Sequence, residues 1–264
     1  MPESQNVSLL QKLKSGQTIY GTCLIANSPL WFGAISGAAL DFVFLDTEHI
    51  PANRNELSHT CRHLNAMGIA PIVRISSPDP FLACQALDAG AKGIVAPYIE
   101  TPEQLRALTG AVKYRPLKGK LLDEILSGQQ QLTPKMERYL RGYNDEHLLI
   151  ANIESTPAIA NLDALLGEPG LDGVFIGPHD LSVSLGMPEE YDHADFQEAV
   201  DSILLKTRAA GKHVGVQWWV NPLDQVKWAK KGLNMVIHSN DLSLFREKLE
   251  QDLKAIRSGI DESS

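Results

Sequence analysis

Eight short apolar runs, each followed by a polar loop and then by residues at helical spacing, limit most narrowly how this chain folds. The runs lie at 19–25, 42–46, 71–75, 93–97, 148–153, 173–176, 213–217 and 234–238. Between them apolar side chains recur every three or four residues, as one buried helix face requires. Leu57, Cys61, Leu64 and Met67 form one such stripe, and Phe81, Cys84, Leu87 and Ala91 a second. Ile159, Leu162 and Leu166 form a third, and Phe245, Leu249, Leu253 and Ile256 a fourth. Gly68, Gly90, Gly211 and Gly232 follow helical segments, where a left-handed C-terminal cap belongs. Strands alternating with helices predict a (β/α)8 TIM barrel of class α/β, a single domain over 1–264 with loose tails about 1–8 and 258–264. An open doubly wound sheet is the alternative, but no strand is followed by G-x-G-x-x-G or G-x-x-x-x-G-K-[ST]. Residues 115–147 read as a long strandless connection with one helix at MERYLRGYNDEH.

Charge narrows the partners. The chain carries 24 Lys and Arg against 32 Asp and Glu, a net −8, which argues against nucleic acid or an anionic membrane as main partner. No apolar run approaches the ~20 residues of a membrane span, and the N-terminal stretch lacks the pattern of a signal peptide. Cys23, Cys61 and Cys84 are odd in number and widely spaced, neither a disulfide framework nor a zinc pattern. Cys61 and Cys84 fall on apolar helix faces and read as core residues. Asn6-Val7-Ser8 matches a glycosylation sequon by chance. A cytoplasmic protein is expected.

A barrel places catalytic groups at the C-terminal ends of its strands. Strand two delivers Asp46, Glu48 and His49, and strand three delivers Arg74. Strand five delivers Asn152 and Glu154, and strand six Asp180. Strands seven and eight deliver Trp218–Trp219 and His238–Ser239–Asn240–Asp241, while strand four, with Pro97 and Tyr98, is the least ionic. One acid beyond a strand is commonly a helix cap. Glu154 and Asp180 are a pair, since they follow adjacent strands and face one small volume. Two close carboxylates repel and raise one pKa. A hard divalent cation such as Mg²⁺ removes that repulsion and leaves positions open for substrate oxygens. After strand six, Gly177 and Pro178 turn the chain into a helix start, whose free amides, from His179 and Asp180 since Pro178 has none, can seat an anion. An ordinary loop with an Asp cap remains the alternative.

The segments FLDTEH, PIVRI, GIVAPYIET, ANIEST and GVFIGPHDLS, in this order on consecutive strands, resemble the HpcH/HpaI aldolases, metal-dependent class II pyruvate aldolases. The resemblance runs from about residue 15 to 255. It implies cleavage of a 4-hydroxy-2-oxo acid to pyruvate, or a related 2-keto acid, and an aldehyde through a metal-stabilised enolate. Glu154 and Asp180 would hold the divalent cation, Mg²⁺, Mn²⁺ or Co²⁺. His49, oriented by Asp46, would transfer the proton. Arg74 would stabilise the enolate oxygen, and Gly177, Pro178, His179 and Asn152 would line the substrate seat. The resemblance further implies a homo-oligomer, a trimer or a hexamer with exchanged C-terminal helices, and a small-molecule 2-oxo acid as partner.

This chain departs from the family's pattern in two places. Asn152 stands where the family usually has Gln. Residues 115–126, RPLKGKLLDEIL, stand where a glycine-rich loop with an arginine is expected near the site mouth, and only Lys118-Gly119-Lys120 keeps something of it. Glu48 has no assigned role beyond surface or support. Trp218 and Trp219 either narrow the pocket or pack between subunits. The competing readings are an oxaloacetate decarboxylase on the same site and a non-catalytic aldolase-like binding barrel. The acyl-CoA branch fits less well, because its acidic motif after strand two differs.

Overall fold

The computed structural model describes residues 8–261. Eight parallel strands close into a barrel in sequence order: β1 Ile19–Leu24, β2 Phe42–Asp46, β3 Ala70–Arg74, β4 Gly93–Ala96, β5 Leu148–Ile153, β6 Gly173–Ile176, β7 His213–Trp218 and β8 Met235–Asn240. Each is within two residues of the predicted run. β1 pairs with β8 to close the ring, with a register shift between Gly21 and Cys23.

Alternation along the strands divides the core in two. Phe42, Phe44, Ile72, Ile150, Phe175 and Ile237 belong to a cluster that fills the barrel. Val43, Leu45, Val73, Leu149 and Val174 join the larger cluster shared with the helices. Large and small residues interlock inside: a Cβ at Gly215 would lie 2.3 Å from the Phe175 ring, so glycine there makes room for that phenylalanine.

The helical stripes are met in part. Cys61, Leu64, Leu87, Ala91, Leu162 and Leu166 are buried, but Phe81 is 74% exposed. It lies in the first turn after the Asp79 cap, before the helix Pro80–Ala89 turns its apolar face inward. All three cysteines are free thiols. Residues 1–7 and 262–264 lie outside the described residues, and with them most of the expected tails. Ser8 instead caps the helix Leu9–Lys14 through a reciprocal bond with Gln11, and 258–261 continue the last helix.

Two findings correct the reading of 115–147. It holds two helices, Gly119–Leu126 and Pro134–Asn144, the first hidden from inspection by its shortness. It also lies at the wrong end to border the mouth of its own chain's site. Lys113 Nζ donates to the His147 carbonyl (2.6 Å) and to Asp172 (2.6 Å), the residues just before β5 and β6. Arg115 pairs with Asp88 and Leu122 packs over Gly110 at that same, N-terminal face of the barrel.

One sector of the barrel is poorly covered. β2 and β5 are buried along their length, whereas outward-facing residues of β1 and β8 are not, and Tyr20 is 54% exposed. The helix that follows β8, Asp241–Asp261, buries only Asp241. Leu242, Phe245, Leu249, Leu253 and Ile256 along it stay exposed. Among the described residues no helix is long and apolar enough to cross a membrane.

Candidate active site

The β2–β3 register puts Asp46 directly opposite Arg74, each the last residue of its strand. The guanidinium takes both carboxylate oxygens, Nε to Oδ1 at 2.9 Å and Nη2 to Oδ2 at 2.6 Å. Such a fork matches a carboxylate better than an imidazole can. Asp46 therefore orients Arg74, not His49, which corrects the expected Asp46–His49 pair. The Glu48 amide adds a third bond to Asp46 Oδ1 at 2.9 Å. Burial pushes the Asp46 carboxyl up, but the Arg74 hydrogen bonds and charge outweigh it and hold it below the usual carboxylate range.

Glu48, left without a role from sequence, has a side chain only 9% exposed. Its Oε2 lies 3.2 Å from Arg74 Nε and 3.7 Å from His49 Nε2, yet has no hydrogen-bond partner among the described residues. Burial raises its carboxyl. His49, with its side chain 56% exposed, thus stands at the mouth beside Glu48. The sequence hid this because the turn after Thr47, tied by its hydroxyl and amide to the Arg74 carbonyl, decides which acid the imidazole meets.

Glu154, one residue past β5, is 2% exposed. Its Oε1 accepts the Tyr98 amide at 2.8 Å and its Oε2 accepts Asn152 Nδ2 at 2.6 Å. Asn152 is thereby a support for Glu154. Tyr98 reaches this bond with φ +49°, a left-handed conformation uncommon for a bulky residue. Sequence reasoning missed it, since a backbone donor leaves no mark on residue type. Gly177 abuts the same carboxylate: a Cβ there would lie 2.5 Å from Glu154 Oε2. Burial raises the Glu154 carboxyl, the Tyr98 amide opposes this, and the negative charge of Asp180 raises it further.

Asp180 sits in the first turn of the helix Pro178–Ser184, which Gly177 begins without a side-chain cap. The Gly177 amide donates to the Ile153 carbonyl at 3.2 Å, so it is removed from the expected anion seat. The amides of His179 and Asp180 belong to a first helical turn, where no intrahelical acceptor exists. A cavity of about 190 Å³ takes in His49, Arg74, Asn152, the stretch 177–180 and Trp219. A larger apolar cavity of about 370 Å³ lies beside β2, but neither Arg74 nor Glu154 nor Asp180 lines it. Charge, not volume, singles out the smaller one as the candidate.

The other predicted tips divide. Trp218 is 1% exposed and packs edge-on to Trp228, in the core, while Trp219 borders the cavity. Asp241 is structural: its two oxygens accept the Ile25 and Ala26 amides at 2.9 Å each, pinning the end of β1.

A divalent cation suits the donors that are present. Glu154 and Asp180 offer hard oxygens, and the buried Glu154 carboxylate carries charge that Arg74 only partly offsets. Among the described residues no three His, Cys, Asp or Glu converge tightly enough to hold a metal alone. Two carboxylates with the remaining positions left to water and substrate is a common Mg²⁺ arrangement.

The profile of the HpcH/HpaI aldolase/citrate lyase family matches residues 20–247, from β1 into the last helix. The chain belongs to that family. It is a carbon–carbon lyase of the class II pyruvate aldolase type, and the family type is metal-dependent. The 2-keto-3-deoxy-L-rhamnonate aldolase of Klebsiella pneumoniae subsp. pneumoniae is 32% identical over 93% of this chain and 91% of that protein. Its counterpart in Salmonella gallinarum is 31% identical over the same shares. Among solved structures, the citrate synthase SbnG superposes with a TM-score of 0.83 at 28% identity, covering 97% of this chain and 99% of that one. An HpcH/HpaI aldolase from Desulfitobacterium hafniense shares the fold with a TM-score of 0.83 at 24% identity, over 95% and 97% of the two chains. The aldolase and the citrate synthase share this barrel, so the local groups decide the chemistry.

Proposed function

We propose that this HpcH/HpaI aldolase cleaves 4-hydroxy-2-oxo acids to pyruvate and an aldehyde at the Glu154–Asp180–Arg74 cluster. The observation that carries the reading is a guanidinium and a carboxylate, Arg74 and Asp180, on one cavity, with the raised buried carboxylate of Glu154 held against Asn152 and Gly177 of its wall. Glu154 and Asp180 would hold Mg²⁺, Mn²⁺ or Co²⁺. When bound, the cation would act as a Lewis acid on the keto acid. His179 and Asp180 amides seat the carboxylate end, with Gly177 and Pro178 shaping the turn. His49, steadied by Glu48, accepts the proton of the C4 hydroxyl; the C3–C4 pair of electrons moves toward the keto oxygen as the aldehyde leaves. Arg74, held by Asp46, stabilises the enolate charge, an interaction stronger in the transition state than in the substrate. Return of that proton from His49 to C3 completes pyruvate and restores the imidazole. Relatives named for a 2-keto-3-deoxy acid support this substrate class.

The test is pyruvate release from a panel of 4-hydroxy-2-oxo acids and oxaloacetate, with and without divalent metal, for wild type and His49→Ala. Metal-dependent release that drops ~10²–10⁴-fold in His49→Ala is expected, the usual range for general acid–base catalysis. Release of CO₂ from oxaloacetate alone would favour the decarboxylase. Metal binding without turnover of any substrate would favour the binding barrel.

We also infer a homo-oligomer, trimeric or hexameric, in which the helix Asp241–Asp261 crosses to a neighbouring barrel. Its exposed leucines and the uncovered outer faces of β1 and β8 are complementary needs of one molecule. Fully burying each leucine is worth ~1.5–3 kcal/mol. Light scattering should give a multiple of 29.0 kDa for wild type, and Leu249→Asp with Leu253→Asp should yield monomer or aggregate. A monomeric wild type would remove the exchange. The free thiols suit a reducing compartment, and we place the enzyme in the cytosol.

A further inference from the structure

We propose that Trp219 closes the aldehyde end of the site and restricts the enzyme to short, uncharged aldehydes of two or three carbons. The inference rests on the aldolase reading above and specifies its substrate. Trp219 follows β7, the neighbour of β6, and so stands beside the 177–180 turn that seats the keto acid. It lines the same cavity as His49 and Arg74. At about 190 Å³ that cavity is small, below the ~300 Å³ at which small-molecule pockets usually begin. With Arg74 and the 177–180 turn on the pyruvate half, Trp219 is the large side chain of the same cavity left to meet what extends beyond C4.

The wall is braced from behind. The Tyr191 ring meets the Trp219 ring edge-on, centroids 6.3 Å apart at 90°, and Trp218 lies 6.2 Å away at 38°. Tyr191 is itself packed edge-on against Trp218 at 5.1 Å and Phe196 at 5.4 Å. Trp218 is anchored by Nε1–H to Asp224 Oδ2 at 3.2 Å and by Trp228 at 4.9 Å. Movement of Trp219 toward the barrel wall is therefore blocked by a chain of rings that ends in the core. The residue is itself 36% exposed, enough to present a face to the cavity. An indole face gives an anionic tail no partner in place of its lost hydration, so carboxylated or phosphorylated aldehydes are disfavoured. An added methylene that meets such a wall changes selectivity by ~10–200-fold.

The experiment uses the Mn²⁺-loaded enzyme as wild type, Trp219→Phe and Trp219→Ala. Addition of pyruvate to acetaldehyde, propanal, pentanal and succinic semialdehyde is measured beside exchange of the pyruvate C3 protons in D₂O, which needs no aldehyde. Wild type should prefer acetaldehyde or propanal to pentanal by tenfold or more in kcat/KM. Trp219→Ala should shrink that preference at least tenfold while proton exchange persists, with Trp219→Phe between them. Exchange with the aldehyde order unchanged in Trp219→Ala, or wild type using pentanal or succinic semialdehyde as well as acetaldehyde, overturns the role of Trp219 alone. No exchange in wild type overturns the aldolase reading and this inference with it.

Discussion

Glu154→Gln is expected to lower metal-dependent kcat/KM by ~10³-fold or more, beyond the ~10²–10³ that one lost electrostatic donor costs, because it removes the proposed metal ligand as well as a charge. Both oxygens of Glu154 face donors, the Tyr98 amide and Asn152 Nδ2. A glutamine must turn its NH₂ toward one of them, so the isostere cannot keep the local bonding. The control is thermal unfolding with and without Mn²⁺. At a hundredfold excess over Kd a ligand stabilises the native state by ~2.7 kcal/mol, and Glu154→Gln should lose that Mn²⁺-dependent rise in Tm. A variant that keeps both the rise and the turnover would remove Glu154 from the metal site.

Arg74 variants should separate fold from chemistry. Arg74 touches two acids whose side chains are little exposed, Asp46 and Glu48. Arg74→Ala takes the guanidinium from both and should cost ~3–5 kcal/mol of stability besides its activity. Arg74→Lys keeps one positive charge but loses the fork and should fold better, while kcat falls ~10²–10³-fold. The pH dependence carries a sign. In wild type the Asp46 carboxyl is held below its ordinary range, so its contribution is present above the unfolded pKa and is lost as pH falls through the folded one. Without Arg74 only the Glu48 amide and the His49 charge oppose burial, Asp46 moves upward, and keeping it ionised at neutral pH opposes folding. The stability gap between wild type and Arg74→Ala should therefore be widest near neutrality and narrow as pH falls into the carboxylate range. Urea melts at both ends measure it, and an equal gap would show that the pair is not what Arg74 supplies.

The barrel was legible in sequence because parallel strands buried on both faces must be apolar throughout, and FVFLD or LLIANI admits little else. The short helix at 119–126 was not, since eight residues hold too few turns for a period to declare itself. At the site, the positions of the ionic groups could be read from their place after each strand: Asp46, Arg74, Asn152 and Glu154 lie at strand tips, and Asp180 in the first helical turn beyond β6. Their partners could not. Asp46 meets Arg74 because of strand register, and His49 meets Glu48 because of a turn.

Sequence alone thus determined the eightfold alternation, the strand tips that carry charge and the excess of acid among them, because each depends on residue type and spacing along one chain. Tertiary structure alone decided that a tyrosine amide serves Glu154, that Trp219 and not Trp218 borders the cavity, and that the last helix leaves its own barrel uncovered. Those facts depend on distances across the ring, where a backbone angle or a one-residue turn changes the neighbour while leaving the residue types unchanged.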